Sequence, residues 1–218
     1  MNPAPLSGLY VCEGSSDVPL ADIVEFLYAE RGCALRLSRP NFEALRGVRR
    51  DVKSKLVAGA RLIDEPFNLA VVHRDADRAG WQERRDEIES ALTASGVVCD
   101  LIPVIPITMT EAWLLLDEQE IREVAGNPNG REVLSLPKTH EAERVADPKA
   151  LLRECLLQAA SARGRRRQTV ASRFSQHRAQ LLQRLDINGP VTQLTSWKML
   201  IADIDRCVES LRPDDPAA

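Results

Sequence analysis

Apolar residues along the chain follow two rhythms: short continuous runs, and longer stretches in which they recur every third or fourth position. The first rhythm predicts strands covered on both faces, the second amphipathic helices. Leu9-Tyr10-Val11-Cys12 is the first strand, and it leads through Glu13-Gly14-Ser15-Ser16-Asp17 into Val18–Arg31, where Leu20, Ile23, Val24 and Leu27 make a helical stripe. Gly14 permits the tight turn, and Ser16 or Asp17 can cap the helix. Gly32 ends it, and Ala34–Leu37 reads as a second strand. Phe42–Leu62 is predicted as one helix with a basic side of Arg46, Arg49, Arg50, Lys53 and Lys55, broken by Asp64-Glu65-Pro66. The run Leu69–Val72 predicts a third strand, Trp81 to about Ala94 a helix, and Val97–Val104 a fourth strand.

After Pro103 and Pro106 only the helical rhythm remains. Thr110-Glu111-Ala112-Trp113-Leu114-Leu115-Leu116-Asp117 reads as the start of a capped helix that continues to Val124, and Gly126-Asn127-Pro128-Asn129-Gly130 closes it with turn residues. Asp147-Pro148 opens a helix to about Ser161, two more follow over Thr169–Leu185 and Val191–Leu211, and the tail from Pro213 is expected to fray. Strands alternating with helices of these lengths imply an α/β fold with a doubly wound, mainly parallel sheet in residues 1–108. Residues 109–218 are expected to form a C-terminal helical region packed on or beside that core.

Composition adds exclusions. The 218 residues include no apolar run near the roughly 20 needed to cross a bilayer. The N-terminal stretch lacks the basic start and apolar run of a signal peptide, so a cytoplasmic protein without a membrane partner is expected. Five scattered cysteines without a C-x-x-C and three isolated histidines signal neither a disulfide framework nor a zinc site. Any metal would need oxygen ligands, which means Mg2+ or Mn2+. The net charge of −3 hides an asymmetry: from Cys155 to Leu185 there is no acid, and seven arginines give +7, leaving −10 elsewhere. A basic block beside an acidic body is either a footprint for phosphate or a solvated helix face.

The chemistry concentrates where strands end. Glu13 follows the first strand, and Asp75 and Asp77 follow the third in N-L-A-V-V-H-R-D-A-D-R-A-G. In an open α/β sheet the ligand crevice lies outside the carboxyl ends of the strands. Alternate residues of an extended segment point the same way, so Asp75 and Asp77 can face one ion and Glu13 can reach it from a neighbouring strand. Three carboxylates without clustered histidine suit a hard cation and phosphoryl chemistry. Arg74 is a candidate phosphate contact, and His73 a structural strand residue. The arginines Arg163, Arg165, Arg166, Arg167, Arg173 and Arg178 are candidates to hold a nucleic-acid backbone without reading its sequence. Trp113 and Trp197 read as core.

A strand ending in Glu-Gly, followed later by one ending in Asp-x-Asp, resembles the Toprim domain of topoisomerases, primases and the overcoming-lysogenization-defect nucleases. The longer layout, with E-G-S-S-D, D-A-D, T-E-A-W-L-L-L-D, G-N-P-N-G, D-P-K and S-W-K in order, is similar to the DUF4276 family of bacterial Toprim-like proteins. That resemblance implies a Mg2+- or Mn2+-dependent nuclease in which Glu13 is the general acid/base or a metal ligand and Asp75 and Asp77 hold the ion. It further implies Asp17 as a second-metal ligand, a helix cap being the equal alternative from its position. Glu111, at the start of a helix just past the fourth strand's carboxyl edge, is a candidate further metal ligand or a first-turn acid favoured by the helix dipole. One downstream lysine, Lys138, Lys149 or Lys198, would steady the scissile phosphate, with Lys198 the one selected. Expected partners are DNA or RNA and an ATPase, in a phage-defence setting, and a homodimer stays open. An alternative is a non-catalytic or conditionally active partner of that ATPase. A haloacid-dehalogenase-type phosphatase would carry its Asp pair on the first strand, and a dinucleotide-binding domain would show G-x-G-x-x-G after it; neither pattern is present.

Overall fold

The computed structural model describes residues 5–211. The tail from Pro213 lies outside the described residues. Four strands, β1 (Leu6–Val11), β2 (Leu35–Ser38), β3 (Leu69–His73) and β4 (Asp100–Val104), form one parallel sheet in the order β2-β1-β3-β4. Helix α1 (Pro19–Glu30) links the first two strands, α2 (Val52–Ile63) the second and third, and α3 (Trp81–Ser95) the last pair.

The strand sequences explain why the sheet is wound on both sides. With a side-chain period of two, Leu69 and Val71 of β3 join Tyr10 and Ile102 in a core with α1, while Ala70 and Val72 join Leu9 and Val11 in a second core under α2 and α3. All five residues of β3 are buried, as a central strand covered on both faces requires. Gly8 is needed where β1 passes β3, since a Cβ there would stand 2.9 Å from the Leu69 carbonyl oxygen and 2.7 Å from Leu37.

The remaining α-helices of the described residues are α4 (Glu111–Leu114), α5 (Glu118–Val124), α6 (Pro148–Ala159), α7 (Gly164–Ser172), α8 (Phe174–Gln183) and α9 (Thr195–Ser210). These helices share the α1-side core instead of building their own. Trp113 and Trp197 meet edge to face at 5.2 Å, and the Trp113 indole N–H donates to Ser196 Oγ at 2.9 Å. Glu143 caps α9 from a distant 3-10 turn, accepting from the backbone N–H of Thr195 and Ser196, each at 2.8 Å. Among the described residues no helix is long and apolar enough to cross a membrane.

Several elements differ from the pattern-based expectation. The helix expected over Phe42–Leu62 is a short 3-10 turn, Phe42–Ala44, then an irregular stretch through Gly47 (φ +80°) to Asp51, whose carboxylate accepts from Ser54 N at 2.8 Å and starts α2. Arg46, Arg49 and Arg50 are thus on a connection, and Lys55 of the supposed basic side is buried. The fourth strand begins only at Asp100, leaving Val98 almost wholly exposed. The helix expected from Thr110 to Val124 divides at Asp117, which caps α5 through Glu120 N at 3.0 Å. The segment expected as one helix over Thr169–Leu185 is the end of α7 and all of α8, and the last helix starts at Thr195 behind a 3-10 turn.

Candidate functional site

From β1 the chain turns aside to β2, then returns to the other flank of β1 as β3. This reversal is the switch point at which a crevice opens beyond the carboxyl ends of the strands. The turn after β1 and the segment after β3 flank it, and they carry Glu13 and Asp17 on one side and Asp75 and Asp77 on the other. A cleft of about 450 Å³ lies there, lined by these four acids, Glu43 from the β2–α2 connection and Glu111 from the start of α4. Arg50, Lys149 and Arg178 line it too. With every group ionised, six carboxylates against three cations leave the lining at −3.

Each side chain is held by its own local structure. Lys55 reaches from α2 to the backbone just past β1, its Nζ donating to the carbonyls of Cys12 at 2.6 Å and Glu13 at 3.2 Å. Burial pushes the Lys55 ammonium down from its ordinary value. Beyond His73 the third strand's segment stays stitched to the segment after β4, through Ala76 N to Pro106 O at 3.0 Å and Asp77 N to Thr108 O at 2.9 Å. Asp77 adopts φ +48°, a left-handed conformation that Asp tolerates better than most residues. The alternation argument therefore fails past His73: Asp75 turns inward, while exposed Asp77 sits at a turn, although both line the cleft.

Asp75 Oδ1 accepts from Thr110 N at 2.9 Å and Thr110 Oγ1 at 3.0 Å, and lies 3.4 Å from His73 Nε2. Thr110 therefore serves Asp75 and makes no side-chain cap for its own helix. Its hydroxyl proton goes to Asp75, so the 2.9 Å contact with His73 Nε2 is donated by the imidazole. His73 Nδ1 is left facing Asp17 Oδ2 at 3.8 Å with no hydrogen-bond partner. Burial pushes the His73 pKa down, but the neighbouring Asp17 and Asp75 carboxylates outweigh it and the net shift is upward. For Asp75, burial pushes up and the His73 and Thr110 contacts more than reverse it, so the carboxyl is held below its usual range. Asp77 is pushed up, by partial burial and by the charge of Asp75.

Two arginines treat the acids very differently. Arg74 Nε lies 2.6 Å from Glu13 Oε1, out of line for a hydrogen bond, and its Nη1 donates to Glu87 at 2.8 Å. The Glu13 side chain is 39% exposed, so this pair contributes about 0–1 kcal/mol and is easily exchanged. Arg178 is enclosed. Its Nη2 lies 2.6 Å from Asp17 Oδ1, its Nε donates to Glu111 Oε1 at 2.9 Å, and its Nη1 donates to the Ser16 carbonyl at 2.9 Å. Arg178, Asp17 and Glu111 are all buried, and breaking such a pair from one side costs roughly 3–5 kcal/mol.

The cleft thus gathers Glu13, Asp17, Asp75, Asp77 and Glu111, and Arg74 stands against Glu13. Lys198 does not reach it; that residue lines a separate cavity with Trp197 and Asp205, and of the three lysines considered Lys149 is at the acidic cleft. Arg163, Arg165, Arg166, Arg167 and Arg173 are exposed in and beside α7, with Arg163 and Arg167 lining another cavity. Arg178 is buried in the cleft and is not part of that basic surface. Sequence reasoning missed Thr110 and Glu43. T-E-A-W at the exit of β4 was the available signal for the first, and nothing local marks the second.

The donors are carboxylate oxygens and the neighbouring histidine is enclosed, so the chemistry of the set fits a hard divalent cation. Among the described residues, however, no three Asp, Glu, His or Cys side chains already converge on one point. Of the five acids gathered from β1, β3 and α4, Glu13 and Asp77 are the exposed ones and are free to move; Glu43 on the β2–α2 connection is exposed too. Comparison with family models, with curated proteins and with solved structures finds no match to the chain. The fold and cleft by themselves define an α/β protein with an acid-lined crevice at the switch point of a parallel sheet.

Proposed function

We propose that this chain is a Toprim-like, Mg2+- or Mn2+-dependent nuclease that hydrolyses phosphodiester bonds of DNA or RNA. The observation that carries the reading is that Glu13, Asp75 and Asp77 line one cleft at the sheet's switch point, with Arg50 and Lys149 beside them. Asp75, Asp77 and Glu13 would hold the ion, which when bound neutralises a phosphate oxygen and lowers the pKa of a coordinated water. Asp75 is kept ionised by Thr110 and His73, so it is ready to serve as an anionic ligand. Lys149 and Arg50 bind the non-bridging oxygens of the substrate and orient the backbone across the cleft. The exposed arginines of α7 continue the cationic path, since Phe174 and Ser175, next after Arg173, line the cleft. Six acids in the lining would repel a polyanion without such cations and the metal, which supports strict dependence on the ion.

The test is cleavage of plasmid and single-stranded substrates with Mg2+ or Mn2+. Wild type should cleave, and Asp75→Ala and Glu13→Ala should each lose at least a hundredfold; equal cleavage by these variants would reject the assignment. A second reading is a conditionally active protein completed by an ATPase partner in phage defence. The pairing of Glu13 with Arg74, away from any shared metal position, favours it. In that case an ATPase gene should lie beside the one for this chain, and cleavage should appear only when its product is added.

A further inference from the structure

We infer that Arg178 stands where a second divalent cation would otherwise sit, so that Asp17 and Glu111 are counter-ions of this arginine and the cleft takes one metal ion, held by Asp75, Asp77 and Glu13. The inference rests on the metal-dependent reading above and gives its stoichiometry. Its basis is the way the guanidinium is used. Arg178 projects from α8 between two carboxylates that reach the cleft from different elements, Asp17 after β1 and Glu111 on α4, at 2.6 and 2.9 Å. A third arm binds the Ser16 carbonyl at 2.9 Å, so the cation meets three oxygens, two charged and one neutral, as a bound metal would.

Asp17 has little left to offer an ion. Its Oδ1 is on Arg178, its Oδ2 accepts from Gly14 N at 3.1 Å, and the His73 ring stands 3.8 Å from the same oxygen. Glu111 and Asp17 are both buried, so an arriving ion would have to displace the arginine from both carboxylates at once. Glu13 and Asp77 are exposed by contrast, and the contact holding Glu13 is one that solvent and ions compete with readily. Arg178 is thus a positioning residue, fixing the β1–α1 turn that carries Glu13 and supplying one positive charge that needs no metal.

The test is calorimetric titration of the full-length, metal-free chain with MnCl2. Wild type should bind one ion. Asp75→Asn and Asp77→Asn should each weaken binding at least tenfold, whereas Asp17→Asn and Glu111→Gln should leave the stoichiometry at one. Arg178→Met should bind two ions, since it frees both acids; a folded Arg178→Met that still binds one overturns the inference. Should Arg178→Met not fold, Asp17→Asn and Glu111→Gln decide. Two ions on the wild type, falling to one in either of those variants, would overturn the place given to Arg178 while leaving metal dependence intact. No binding by the wild type would overturn both.

Discussion

Replacing Arg178 by Met would leave the Asp17 and Glu111 carboxylates facing each other without a counter-ion, and the Ser16 carbonyl without a donor. The three side chains involved are 3–7% exposed, so water cannot take over the guanidinium's role. Removing one partner of a buried ion pair costs roughly 3–5 kcal/mol. A domain of this size is stable by about 5–15 kcal/mol, so the loss is a large part of the total. At about 2–4 °C per kcal/mol, Tm should fall by roughly 6–20 °C. The complementary triple variant, Arg178→Met with Asp17→Asn and Glu111→Gln, should recover most of it, because neutral groups of similar volume carry no comparable burial penalty. Urea denaturation followed by circular dichroism measures both, with the slope unchanged if only stability moves. A loss below about 1 kcal/mol, or a triple variant no better than the single one, would refute the view that the arginine is a buried counter-ion.

Three further predictions follow from the packing. Gly8→Ala should destabilise by about 1–3 kcal/mol, since the new methyl meets the Leu69 carbonyl, which the sheet holds in place; chemical denaturation checks it. Asp51→Ala should remove the cap of α2 and about 1 kcal/mol at neutral pH. The Ser54 backbone hydrogen bond holds the Asp51 carboxyl below its ordinary value. Its contribution is therefore present above the usual carboxylate range and lost as pH falls through the lowered pKa, so the wild-type and variant melting curves should converge only in strong acid. Glu143→Ala should cost about 1–2 kcal/mol by uncapping α9, whereas an exposed acid such as Glu132 should be neutral when replaced, as thermal melts of the two variants would show.

What could be read from the chain before folding was set by local physics. Apolar runs predicted β1, β3 and β4 because helices cover both faces of the sheet there, whereas edge strand β2 alternates, with Arg36 and Ser38 exposed. The acids after β1 and β3 were visible because strand ends are local. Breaks inside long helical patterns were not visible: Gly47 and Asp51, and then Asp117, stop helices whose apolar spacing continues through them. Val97–Cys99 read as strand from composition, yet among the described residues no neighbouring strand pairs with them. The cleft's inner wall was hidden for a different reason. Arg178 meets Ser16 across 162 residues and Glu111 across 67, and Thr110 meets Asp75 across 35, distances over which spacing carries no signal. A basic run in sequence accordingly mixed six exposed arginines with one enclosed by acids.

The most direct measurement is an anomalous difference map from a crystal grown with Mn2+. One peak should appear in the cleft, roughly 2.0–2.6 Å from carboxylate oxygens of Asp75, Asp77 and Glu13, with Glu13 turned away from Arg74 and Arg178 still on Asp17 and Glu111. A cleft without a peak, while Glu13 stays on Arg74 at saturating Mn2+, would contradict the metal centre.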